Sequence, residues 1–112
     1  MKKAEIIIND NKFSVLVAET EKEKQVGLMY IPPPPPIMIF PYTKSNLSFW
    51  MKNTPSPLDI VFCLNGEIQS IKEGIPYSTQ LIHGGESDLV IEFPKGYCIK
   101  YNIKVGNKVE LK

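Results

Sequence analysis

The chain contains no arginine, so all thirteen of its basic side chains are lysines. It therefore lacks the guanidinium fork that reads guanine edges and clamps phosphates, and twelve acids hold the formal charge to +1, so nucleic acid is not an expected partner. The single histidine, His83, cannot build a multi-histidine metal site. A mixed site would need Glu86, Asp88, Asp59 or a cysteine folded beside it, so neither a metal nor another cofactor is expected. There are only two cysteines, Cys63 and Cys98, and they read as small apolar fillers in a reducing compartment rather than as a disulfide. No apolar run reaches the roughly 18 residues of a membrane span. Met1-Lys2-Lys3-Ala4-Glu5 leads into a strand-like run without the apolar stretch and small-residue cleavage site of an export signal. A soluble, cytoplasmic or otherwise intracellular protein with no membrane partner is expected. The phosphate loop, the dinucleotide glycine fingerprint, the nucleophile elbow, the paired-histidine zinc helix and the calcium loop are all missing.

At 112 residues the chain has the length of one domain, and 43% hydrophobic residues supply a core without staples. Residues 5–9 and 13–18 are β-rich runs on either side of Asp10-Asn11-Lys12, the expected turn of a first hairpin. Thr20-Glu21-Lys22-Glu23 has the spacing of a capping box, so a short helix starts there, with Val26, Met29 and Tyr30 expected on the face that docks on a sheet. Half of the ten prolines then follow in one run, 32–36, for which an extended polyproline strut of about 15 Å is expected. Its flanks, Ile31 and Ile37, lack the basic anchor of ligands for proline-binding modules.

The rest reads as strands and turns. Strands are expected at 37–40, 46–51, 58–64, 67–73, 88–93 and 109–111, with a loop over 74–86 and a helical turn within 96–102. Asn65-Gly66 is the strongest hairpin signal. In 58–64 Leu58, Ile60, Phe62 and Leu64 alternate with Asp59, Val61 and Cys63, and the first set is expected to face the core. The pattern predicts an all-β, mainly antiparallel fold, a jelly-roll-like sandwich or partly closed barrel with one or two short helices, as a single domain over 1–112.

The densest stretch runs from Ser48 to Thr54, followed by Pro57-Leu58-Asp59. Three large apolar side chains run straight into an amine, an amide and a hydroxyl. A core strand ending in a polar turn accounts for this pattern. A pocket rim accounts for it too, with Trp50, Lys52, Asn53, Thr54 and Asp59 joined by the loop around His83, Gly84 and Gly85 as candidate ligand-binding residues. A cysteine hydrolase would need Cys63 or Cys98 beside His83 with Asp59 as orienter; the residue types are present, but both cysteines sit in apolar surroundings. No catalytic residue is assigned.

Over nearly its whole length the chain resembles the small bacterial and archaeal proteins grouped as domain of unknown function 192. The resemblance rests on Val17-Ala18-Glu19-Thr20 before a short charged helix, on Gly27-Leu28-Met29, and above all on Ser48-Phe49-Trp50-Met51-Lys52-Asn53-Thr54 with Pro57-Leu58-Asp59. Gly84-Gly85 and the segment from Asn102 to Asn107 fall where the family pattern has them. The resemblance implies an all-β sandwich of jelly-roll type and brings no reaction, cofactor or catalytic residue. The chain departs from the family pattern in lacking an arginine after Gly-Leu-Met, in its proline run, and in His83, which stands where a small residue is usual.

The expected function is that of a non-enzymatic module binding a small molecule or a protein. A self-assembling or decorating protein, for example on a viral shell in a virion, is the alternative, with a small hydrolase or metal enzyme third.

Overall fold

In the computed structural model, which describes residues 1–112, the first hairpin joins β1 (Lys2–Ile8) to β2 (Asn11–Val17). Its turn is Asn9-Asp10, starting one residue earlier than the expected Asp10-Asn11-Lys12. Both of those residues hold positive φ, at 52° and 63°, as a two-residue hairpin turn requires. The capping box forms as its spacing predicts: Glu23 N–H donates to Thr20 Oγ1 at 3.0 Å and Thr20 N–H to Glu23 Oε1 at 3.1 Å. It opens α1 (Glu21–Val26). The helix stops at Gly27, whose φ of 50° and ψ of −124° only glycine adopts easily. Residues beyond it are therefore not one helical face. Leu28 docks on the sheet, while Val26 and Tyr30 stay exposed, contrary to the spacing argument. The proline run is interrupted by a bend at Pro33 and Pro34, whose peptide bond is cis, where one straight strut was expected.

The remaining elements are β3 (Met38–Phe49), β4 (Leu58–Leu64), β5 (Glu67–Gly74), β6 (Ile82–Pro94), α2 (Tyr97–Lys100) and β7 (Glu110–Leu111). β3 merges two expected strands; its pairing with β6 slips between Pro41 and Ser45 and again between Asn46 and Ser48, so one continuous strand bends past a proline. Trp50 and Met51 lie beyond its end. β6 reaches back to Ile82, which places His83, Gly84 and Gly85 on a strand instead of in a loop.

The seven strands form one sheet in the order β5-β4-β6-β3-β2-β1-β7, antiparallel throughout except for β2 against β3. Of the two architectures that the strand pattern allows, the structure takes the partly closed barrel. The C-terminal segment spans the opening: Val109 N–H donates to Gly66 O at 2.8 Å and Ile68 N–H to Asn107 O at 3.0 Å, while Glu110 and Leu111 pair with β1. A strongly curled half-barrel results. Its inner face carries the larger core, with Ile6, Phe13, Val15, Val61, Cys63, Ile91 and Phe93 among its members. A second core lies on the outer face of β3, β6 and β4, where Met38, Phe40, Leu58, Ile60, Phe62 and Val90 meet Leu28 and Met51. β4 is thus buried on both faces, not only on that of Leu58, Ile60 and Phe62.

Candidate functional site

Register places an acid in the outer core. Met38 pairs with Glu92 across β3 and β6, and Glu92 with Ile60 across β6 and β4, so these three side chains form one row on the same face of the sheet. Glu92 is 4% exposed, and no side-chain hydrogen bond or ion pair of the chain ends on its carboxyl group. Its oxygens are nevertheless not sealed in, since no buried polar side-chain atom lacks a partner and Glu92 lines an open cleft. Burial strips water from the carboxylate and pushes its pKa from 4.5 up to about 8. At neutral pH the group is mostly a neutral acid.

The cleft holds about 200 Å³. One wall is the end of α1 and the chain after it, from Lys24 through Gly27 to Met29. The opposite wall is aromatic: Phe40, Tyr42 and Phe49 of β3, with Trp50 at the mouth. Phe49 stands edge-on to three rings, with centroids 5.2 Å from Phe40, 6.2 Å from Tyr42 and 5.9 Å from Phe62, an arrangement that fixes the wall. The Lys24 ammonium lies 4.2 Å from the centroid of the Tyr42 ring. Burial, then the charges of Glu21 and Glu92, push the Tyr42 phenol pKa up.

Two of the residues singled out from the sequence, Trp50 and Thr54, line this cleft. Thr54 is buried and donates to Lys52 O at 3.2 Å. Lys52 and Asn53 lie in an adjoining groove with Glu21, Tyr30 and the other side of Trp50. The Lys52 ammonium is 5.2 Å from the Trp50 ring. Asn53 holds φ 58°, donates from Nδ2 to the Tyr30 hydroxyl at 3.0 Å and accepts the Tyr30 N–H on its carbonyl, so it fixes the turn. His83 reaches the cleft only indirectly, through the 2.8 Å bond between its Nδ1 and the hydroxyl of Ser48, a lining residue.

The others are elsewhere. Asp59 pairs with Phe93 and so points to the inner face, opposite Glu92. There its carboxylate accepts the N–H groups of Gly96 at 3.0 Å and Cys98 at 3.1 Å, capping α2. Gly84 is a packing glycine, since a Cβ there would stand 2.0 Å from the Phe62 ring. Gly85 sits at φ 82° with open space around it. The cysteine, histidine and aspartate of the hydrolase reading are not brought together: His83 is engaged with Ser48, and both thiols are buried. Burial, with Asp88 near Cys63 and Asp59 near Cys98, pushes both thiol pKa values up to about 12. No three His, Cys, Asp or Glu side chains converge to hold a metal ion. No helix is long and apolar enough to cross a membrane.

Glu92, Lys24 and Tyr42 escaped the sequence reading, and Phe49 stands in the run from Ser48 to Thr54 but not among the candidate ligand-binding residues. The available signal was one acid inside the apolar run Leu89-Val90-Ile91-Glu92-Phe93, where a strand buried on both faces has no solvent to offer it.

Fold and cleft together define a small β-rich domain, a seven-stranded half-barrel with an acid-floored aromatic cleft on its outer face. The chain belongs to the DUF192 family (Uncharacterized ACR, COG1430), whose family model matches residues 4–111. Among solved structures it is similar to a proposed transcription regulator from Sinorhizobium meliloti 1021, with 25% identity and a TM-score of 0.91 over 98% of this chain and 94% of that one. It is also similar to a protein of unknown function from Novosphingobium aromaticivorans DSM 12444, with 28% identity and a TM-score of 0.84 over 96% of this chain and 83% of that one. No curated protein matches the chain.

Proposed function

We propose that the protein is a non-enzymatic binding module for a small molecule, held in the cleft between the end of α1 and β3. One observation carries this reading: a carboxyl group lies buried among apolar side chains, has no partner in the protein, and opens onto that cleft. A buried polar group without a partner costs free energy that an apolar side chain in the Met38–Ile60 row would not. A ligand that bonds to Glu92 offsets that cost. The aromatic wall and a few polar groups around it match the composition of small-molecule sites.

The similarity to a proposed transcription regulator from Sinorhizobium meliloti 1021 raises a regulatory role, by base reading or by ligand sensing, as a second reading. A chain with no arginine and a formal charge of +1 gives base reading little electrostatic support, so a regulatory role fits this chain better as ligand sensing.

The sole tryptophan, Trp50, is 43% exposed at the cleft mouth and reports on it directly. In a screen of small metabolites, a ligand of this site shifts Trp50 emission and raises the Tm of the wild type, and it loses most of that effect in Glu92→Gln. Ligands that raise Tm equally in both proteins and leave Trp50 emission unchanged would place binding elsewhere and refute the reading.

A further inference from the structure

We propose that the cleft takes an organic ammonium ion, with the Glu92 carboxylate as counter-ion at its floor and the Tyr42, Phe49 and Trp50 rings as its wall. This rests on the ligand-site reading above and names the ligand class.

Three observations converge on it. The protein itself already sets an ammonium on this wall, Lys24 Nζ at 4.2 Å from the Tyr42 centroid, yet Lys24 forms no ion pair with Glu92. The chain's two ion pairs are Lys95 with Glu73 and Lys108 with Glu67, both on the surface. A cation seated deeper than Lys24 would therefore gain both the ring faces and an unclaimed carboxylate. Of the nearby hydroxyls, Thr54 is committed to Lys52 O and Ser48 to His83, so an anionic ligand would find only the Tyr42 hydroxyl and one lining cation, Lys24, with Glu92 opposing it.

The groups facing Glu92 set how binding responds to pH. The neighbouring strands present Met38 and Ile60, which do not titrate; α1 contributes Lys24, β3 contributes Tyr42, and Glu21 adds a negative charge near Tyr42. Because burial pushes the Glu92 pKa up to about 8, a cation entering at pH 7 displaces one proton from its carboxyl group to the buffer. Binding then tightens as pH rises toward and through about 8.

The test uses the full chain and benzyltrimethylammonium, a permanent cation, beside phenylacetate and benzyl alcohol as anionic and neutral counterparts, read by Trp50 fluorescence and by calorimetry in two buffers. The expected result is cation binding that is at least about tenfold weaker in Glu92→Gln and severalfold tighter in Lys24→Gln, which removes the competing ammonium, with proton release on binding. Lys24 is half-buried on a short helix that has no fully buried residue, so that variant keeps the inference testable even if Glu92→Gln fails to fold. Phenylacetate binding preferentially, with Lys24→Gln weakening it, overturns the ligand class and leaves the ligand site standing. The absence of any Trp50 response to all three probes at millimolar concentration overturns both.

Discussion

Replacing Glu92 by Gln changes the pH dependence of stability in a direction that follows from its burial. In the unfolded chain this carboxyl group loses its proton near 4.5; in the folded protein burial holds the proton on until about 8. Between those values the unfolded state binds fewer protons than the folded state, so stability falls as pH rises, by up to about 1.4 kcal/mol for each pH unit. From about pH 5 to about pH 7 the wild type should therefore lose on the order of 3 kcal/mol through this one group. Gln keeps the shape, has no charge to desolvate and is indifferent to pH. The assay is urea unfolding followed by Trp50 emission, with both proteins measured at matched pH so that every other titrating group cancels in the difference. The stability advantage of Glu92→Gln should grow across that window and level off above about pH 8. A difference that stays constant from pH 5 to 9 would show that Glu92 is solvated, and with it would go the account of the cleft floor.

Other outcomes follow from single contacts. Gly84→Ala drives a methyl group to 2.0 Å from the Phe62 ring and should cost about 3 kcal/mol in the same unfolding assay, whereas Gly85→Ala, strained only by its φ of 82°, should cost about 1 kcal/mol. Equal costs would contradict the packing role of Gly84. Asp59→Ala orphans the N–H groups of Gly96 and Cys98 and should cost about 1–3 kcal/mol while leaving ligand affinity at the cleft unchanged. Lost affinity would place Asp59 in the site after all. Cys63 and Cys98, buried with thiol pKa values pushed up to about 12, should resist iodoacetamide in the native protein at neutral pH and react on unfolding. Rapid modification of either cysteine in the folded state would reopen the nucleophile reading.

The parts of the fold legible in the sequence are those fixed by local chemistry. Thr20 and Glu23 cap α1 as their spacing requires, and Asn65-Gly66, at φ 51° and 73°, turns β4 into β5. Periodicity also found the strands, because alternation survives wherever one face is more buried than the other. It failed where tertiary structure overrides local pattern. Leu28 and not Val26 or Tyr30 docks because Gly27 breaks the helical period, and β4 is buried on both faces because the sheet curls and is covered outside as well as filled inside.

The candidate site was half legible for the same reason. The run from Ser48 to Thr54 marks one side of the cleft, since Ser48, Phe49, Trp50 and Thr54 all line it. Its floor and far wall, Glu92 and Lys24, come from elements distant in sequence that only the sheet order brings together. Asp59 shows the converse: adjacent to the motif in sequence, it points to the opposite face, because the side chains of a strand alternate.

Whether Glu92 is an unclaimed buried carboxyl group offered to a ligand is read from its own carboxyl-carbon NMR signal, titrated with and without benzyltrimethylammonium. A buried, unclaimed carboxyl group has a midpoint near 8 in the free protein that moves down by at least one pH unit when the cation binds. A midpoint near 4.5 that the cation leaves in place would show a solvated Glu92 with no part in binding.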